Sequence, residues 1–138
     1  MKFSKATNYA LHSLVHLAMH TSEEAIKVED LADRQNLSAT YLSKILTKLV
    51  KGSLIESTPG VKGGYRLIRS PEDCSFLDVI YAIEGYESML KCTMKHETAG
   101  NNECLIERAM KEVEDHMKED LHSKTIADIV KQARERQV

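Results

Sequence analysis

EDLADRQNLSATYLSKILTKLVKGSLIESTPGVKGGYRL, residues 29–67, decides the fold of this 138-residue chain. Leu31 and Ala32 open a short helical pattern that stops at Gln35 and Asn36, and Asn accepts the left-handed backbone that a tight turn needs. Leu37 then packs inward and Ser38 caps the next helix. From Ser38 to Lys51 the residues Leu42, Ile45, Leu46 and Leu49 recur at helical spacing, leaving Thr40, Ser43, Lys44, Thr47, Lys48 and Lys51 largely on the other face. Gly52, free of the Cβ penalty, ends that helix. Leu54–Ser57 and Tyr65–Ile68 flank a run of Pro59, Gly60, Lys62, Gly63 and Gly64, which reads as a hairpin with a flexible basic tip. Helix, turn, helix and hairpin in this order predict a winged helix-turn-helix, mainly α with one small β-hairpin wing.

In such a unit the second helix fits the major groove of DNA, and its early residues reach the base edges. Ser38, Thr40, Tyr41, Ser43 and Lys44 occupy that early stretch. Hydroxyls pair with any base type and a threonine methyl touches thymine, while Lys44 suits guanine or a phosphate. Lys48 and Lys51, further along, suit the backbone phosphates. Lys62, Gly63 and Arg66 form a basic, glycine-hinged wing of the kind that enters the minor groove. The glycines match neither a phosphate-binding loop nor a dinucleotide fingerprint. The competing reading is a helical interaction module whose charged outer face is ordinary solvated surface. No nucleophile with a base and an acid, no paired carboxylates and no phosphate loop can be assembled from the motifs, so an enzyme is not expected.

Outward from this core, Ser4–Thr21 reads as an amphipathic helix with Tyr9, Leu11, Leu14, Val15, Leu17 and Ala18 on its apolar face. His12, His16 and His20 recur along it without an accompanying thiol or carboxylate and are read as structural. Ile26–Val28 is expected to be extended. After Pro71, Ser75 with Asp78 forms a capping box that opens a helix closed by Gly85. Residues 86–103 lose periodicity, and a loop that long in a small domain suggests function. From Glu103 to Leu121 the narrow stripe Ile106, Met110, Val113, Met117 and Leu121 reads as a seam for a second copy of the chain. Thr125 with Asp128 opens a last helix. Residues 1–70 are thus expected to form the DNA-binding domain, and 71–138 a helical dimerisation and sensor region.

A net charge of −2 is compatible with DNA binding once it is divided. Residues 1–70 carry ten Lys and Arg against six Asp and Glu, while residues 71–138 carry nine against fifteen. The balance of +4 and then −6 places the cations where the phosphates would lie. The chain shows neither a secretory signal nor an apolar run long enough to span a bilayer, which predicts a soluble cytoplasmic protein without membrane contact. Three cysteines, Cys74, Cys92 and Cys104, make a poor disulfide framework.

The opening MKFSKATNYALHSLVHLA (1–18), the segment LADRQNLSATYLSKILTKLVKGSLIES (31–57) and the wing GVKGGYRL (60–67) together resemble the Rrf-type family of bacterial winged-helix regulators, over nearly the whole chain. The resemblance implies a homodimer built through the 103–121 helix and bound to a dyad-symmetric DNA operator. Cluster-binding members of that family carry three cysteines before the dimer helix. Here Cys92 and Cys104 match the outer two, and Thr98 stands at the middle position. Asn8 and Glu107 stand where different members supply a fourth ligand as Asp or His. Iron–sulfur clusters want thiolates first, so no cluster and no other cofactor is expected.

Three uses of the thiols remain. Cys92, His96 and Cys104, helped by Glu97, Glu103 or Glu107, are potential zinc ligands in a spacing that matches no closed site. Lys91 and Lys95 beside Cys92, and a helix start beside Cys104, would favour thiolate chemistry and a redox switch, the preferred reading. The third is inert thiols. Cys74 reads as structural.

Overall fold

The computed structural model describes residues 2–20, 24–94 and 103–136. The first helix, α1 (Lys5–Met19), is capped by the Ser4 hydroxyl, which accepts from the Thr7 N–H. It buries Ala10, Leu14 and Leu17 at the centre of the molecule. α2 (Val28–Gln35) starts three residues before Leu31, because Glu29 and Asp30 are acidic residues that favour a helix N-terminus. Asn36 ends it in the left-handed region at φ 61° and ψ 42°. Ser38 then caps α3 (Ala39–Lys51) by accepting from the Tyr41 N–H at 3.2 Å. α2 is further fixed to α1 by a half-buried relay, in which Gln35 Nε2 donates to Ser13 Oγ and Ser13 Oγ to the Tyr9 carbonyl, each at 2.8 Å.

Leu42, Ile45, Leu46 and Leu49 turn the apolar face of α3 into the core, where Leu42, Leu46 and Leu49 are fully buried. Burial of that kind contributes about 1.5–3 kcal/mol per side chain. The end of α3 corrects the expected role of Gly52. Its φ is −79°, and the left-handed residue is Ser53 at φ 59°. Glycine at position 52 allows a close approach of α4, since a Cβ there would lie a tight 3.0 Å from the Ala82 Cβ.

Strands β1 (Ile55–Thr58) and β2 (Gly64–Leu67) form the antiparallel wing, in register Ile55 with Leu67 and Thr58 with Gly64. The expected extended segment contributes one residue. Ile26 pairs with Tyr65 through two backbone bonds of 2.9 and 2.7 Å, and Val28 already belongs to α2. A 3₁₀ turn at Pro71–Asp73 leads to α4 (Phe76–Glu84), which opens with the complete Ser75–Asp78 capping box. α5 (Leu105–Ser123) is the longest helix, and α6 (Ile126–Arg136) returns to pack on α1. Ile126 and Val130 of α6 share one core with Leu14, Leu31 and Leu46. The Thr125–Asp128 cap is formed, with Thr125 Oγ1 accepting from the Asp128 N–H and the Asp128 carboxylate from the Thr125 N–H. Among the described residues no helix is long and apolar enough to cross a membrane.

Candidate nucleic-acid interface and dithiol site

Thr40, Tyr41, Lys44, Lys48 and Lys51 are exposed on α3 and Ser43 is half-buried. Lys44, Lys48 and Lys51 follow one another at helical intervals of four and three, so they share one stripe. The start of α3 is braced from behind. Tyr41 meets Tyr9 of α1 edge to face, with ring centroids 6.0 Å apart. Ser38 is exposed and its hydroxyl, by accepting from the Tyr41 N–H, orients the helix start. Lys48 lies within electrostatic reach of Glu84 at the end of α4.

The wing tip turns over Pro59–Gly63, with the Gly63 N–H donating to the Gly60 carbonyl at 3.0 Å. Lys62 and Val61 are exposed at its apex. Gly63 is buried, and a Cβ on it would sit 2.1 Å from the Thr58 carbonyl oxygen. That glycine therefore shapes the hairpin. Arg66 forms a 2.7 Å ion pair with Glu56, its cross-strand partner, and its side chain stays 53% exposed.

Beyond α4 the chain runs back along α5, held by two carboxylates seven residues apart. Glu114 Oε1 accepts from the Met89 N–H at 3.2 Å and Glu107 Oε2 from the Cys92 N–H at 2.8 Å. Glu114 is buried, and Lys118 Nζ lies 3.4 Å from it. Tyr86 stacks on Tyr81 at 4.4 Å. Sequence reasoning missed Glu114, because a Glu followed four residues later by Lys looks like any solvated helix pair.

This course brings the Cys92 and Cys104 thiols close enough to influence each other, while both remain free thiols. Cys104 is the N-cap of α5, and its Sγ accepts from the Glu107 N–H at 3.4 Å. That backbone bond outweighs burial and, with the Cys92 thiol and the Ile106 N–H, holds the Cys104 thiol below its ordinary range. The Cys92 thiol is drawn down by the Met94 backbone, but Cys104, burial and the Glu107 charge together push it up. Cys74 is fully buried, and desolvation raises its thiol to about 11. It belongs to the core, as expected. Lys95, His96, Glu97 and Thr98 lie outside the described residues.

The proposed seam divides in two. Ile106, Met110 and Val113 are 71%, 45% and 63% exposed, and Leu105 beside them is 74% exposed. Met117 and Leu121 are half-buried and line a cavity with Leu77, Ile80 and Tyr81 of α4.

The profile of Rrf2, described as an iron-dependent transcriptional regulator, matches residues 3–132. The chain belongs to the Rrf2 family. It is 34% identical over 134 residues to protein rrf2 of Nitratidesulfovibrio vulgaris, covering 96% of this chain and 89% of that one. The T. potens IscR structure superposes with a TM-score of 0.77 at 30% identity, over 100% of this chain and 92% of its own. CymR (YrzC), the global cysteine regulator of B. subtilis, gives a TM-score of 0.76 at 27% identity, over 96% and 98%. The Rrf2 relatives and neighbours are transcriptional regulators rather than enzymes, and this chain is a winged-helix DNA-binding regulator of that type.

The iron in the Rrf2 description is a test for the residues present. At the start of α5 the described residues offer two thiols, with Cys74 buried apart in the core, and the Glu107 carboxylate, which is already engaged by the Cys92 N–H. Among them no three His, Cys, Asp or Glu gather as metal ligands. A cluster held by four thiolates does not fit this donor set.

Proposed function

We propose that the chain acts as a homodimeric repressor that binds a dyad-symmetric operator and changes its affinity when Cys92 and Cys104 are oxidised, without a bound cofactor. The observation that carries the switch is that Glu107 gathers both cysteines at the start of α5, its carboxylate accepting from the Cys92 N–H and its N–H donating to Cys104 Sγ. In this reading residues 1–70 read DNA, and residues 71–138 pair the subunits and sense. The exposed apolar face of Leu105, Ile106, Met110 and Val113 supports pairing, because a row of large apolar side chains on one helix loses water when a second copy covers it. Pairing through α5 sets two recognition helices at a fixed separation, which a two-fold operator matches. Occupancy of the operator is sufficient for repression, and we assign that sign.

An oxidation signal shifts DNA affinity only if the disulfide favours one arrangement of the two recognition helices over the other. Such couplings amount to about 1–3 kcal/mol. The test is selection from a duplex library with a randomised core, followed by titration of the selected duplex with the reduced and the oxidised protein over a range of salt. Expected are a two-fold-symmetric consensus, a steep fall of affinity with salt and a difference between the two redox forms. No duplex affinity at low salt would end the DNA-reading part, and equal affinity of the two redox forms would end the switch.

A further inference from the structure

We infer that Cys104 is the thiol that attacks a small hydroperoxide and that Cys92 resolves the product into a Cys92–Cys104 disulfide, an assignment that rests on the dithiol reading above. The two cysteines are gathered on Glu107 but their sulfurs occupy different surroundings. Cys104 Sγ sits at the N-terminus of a 19-residue helix and accepts the Glu107 N–H at 3.4 Å, so the developing thiolate faces backbone donors and the positive end of the helix. Cys92 Sγ instead faces an acceptor, the Met94 carbonyl at 3.9 Å, and the negative charge of Glu107, which opposes a thiolate there.

The chemistry runs in two steps. The Cys104 thiolate attacks one peroxide oxygen, the S–O bond forms as the O–O bond breaks, and the leaving hydroxide takes a proton to become water. Cys104 is then a sulfenic acid, and the peroxide has been reduced by two electrons. The Cys92 sulfur attacks Cys104 Sγ, the S–S bond forms as the S–O bond breaks, and the departing hydroxide carries away the Cys92 proton as a second water. One hydroperoxide and two thiols thus give one disulfide and two waters, when the oxidant is hydrogen peroxide. Size selects the oxidant class. Cys104 is only 9% exposed, which admits a water-sized peroxide and hinders a bulky disulfide such as oxidised glutathione.

The experiment treats the full-length reduced protein, Cys92→Ser and Cys104→Ser with one equivalent of hydrogen peroxide or, separately, oxidised glutathione, and maps the products by peptide mass with a sulfenic-acid trap present. Serine at position 104 keeps an N-cap oxygen, so that variant retains the start of α5. Expected are a Cys92–Cys104 disulfide in the wild type, a trapped sulfenic acid at Cys104 in Cys92→Ser, and reaction at Cys92 in Cys104→Ser slower by roughly tenfold or more. Hydrogen peroxide should outpace oxidised glutathione. Equal or faster trapping at Cys92 would overturn the order of attack and leave the dithiol reading standing. Equal rates with the two oxidants would overturn the oxidant class. A wild type that forms no Cys92–Cys104 disulfide under peroxide would overturn the order and the dithiol reading together.

Discussion

Glu84 Oε1 accepts from the Ser4 backbone N–H and from the Thr7 hydroxyl, each at 2.7 Å, and so ties the start of α1 to the end of α4. A bond from the Ser4 hydroxyl, joined by those from Thr7 and the Ser4 backbone and by the Lys48 charge, outweighs desolvation and holds the Glu84 carboxyl below its ordinary value. A depressed carboxyl pKa means that the charged form is favoured by folding. Its stabilisation is therefore present above the unfolded-state value and lost as pH falls through the lower folded-state value. Glu84→Gln is expected to lower stability at neutral pH by about 0.5–1 kcal/mol, discounted for exposure, with the difference from wild type closing below the ordinary carboxylate range. Chemical denaturation at pH 7 and pH 3 checks this, and a difference that does not shrink in acid would refute it. Among DNA-facing residues, Lys44→Ala is expected to relax preference at one base position by about 1–3 kcal/mol, whereas Lys62→Ala weakens binding evenly and reduces the salt slope by about one. Unchanged affinity and salt slope in Lys62→Ala would remove the wing from the interface.

At the scale of elements the wing depends on backbone contacts. Gly64 has φ +145°, and a Cβ on it would lie 2.4 Å from the Ile26 carbonyl, the acceptor in the bridge that anchors β2 to the body of the molecule. Gly64→Ala is expected to cost both backbone strain and an overpacking penalty, together roughly 2–5 kcal/mol, and to loosen the wing. Gly60→Ala, at φ +99° in open space, should cost only its conformational strain, about 1–2 kcal/mol. Thermal melts of the two variants decide this, and equal losses would deny the steric account. The helix-turn-helix, the hairpin and three caps were legible in the sequence because each is a local pattern of period, turn and cap. The helix start at Val28 was not, because β-branched Ile26 and Val28 read equally well as extended, and the left-handed Ser53 was not, because the glycine beside it is the residue expected there. The ties from Glu84 to Ser4, from Glu107 to Cys92 and from Glu114 to Met89 were illegible for another reason. They span 80, 15 and 25 residues and leave no periodic trace. In the same way Met117 and Leu121 follow the spacing of Ile106 and Val113, yet only the fold reveals that they turn toward α4.

For the whole molecule the proposed dimer makes the exposed stretch of α5 decisive. Val113→Asp sets a charge on a face that is open in the single chain, so the core should keep its stability while the dimer dissociates. Loss of two-site binding is expected to weaken operator affinity by roughly 10²-fold or more. Sedimentation and duplex titration read the two effects, and a monodisperse dimer in the variant would move the interface elsewhere. The clasp between residues 74–76 and 124–126 has a mechanical consequence for that arrangement. The Phe76 N–H donates to the Lys124 carbonyl and the Ile126 N–H to the Cys74 carbonyl, each at 2.9 Å, so the far end of α5 is buckled to the base of α4. A 19-residue helix is about 28 Å long, with the thiol pair at one end and this buckle at the other. α5 is then a lever with a fixed fulcrum. A displacement of roughly 2 Å at the Cys104 end turns it by only about 4°. The same leverage reversed makes small rotations of the winged body large movements at the sulfurs.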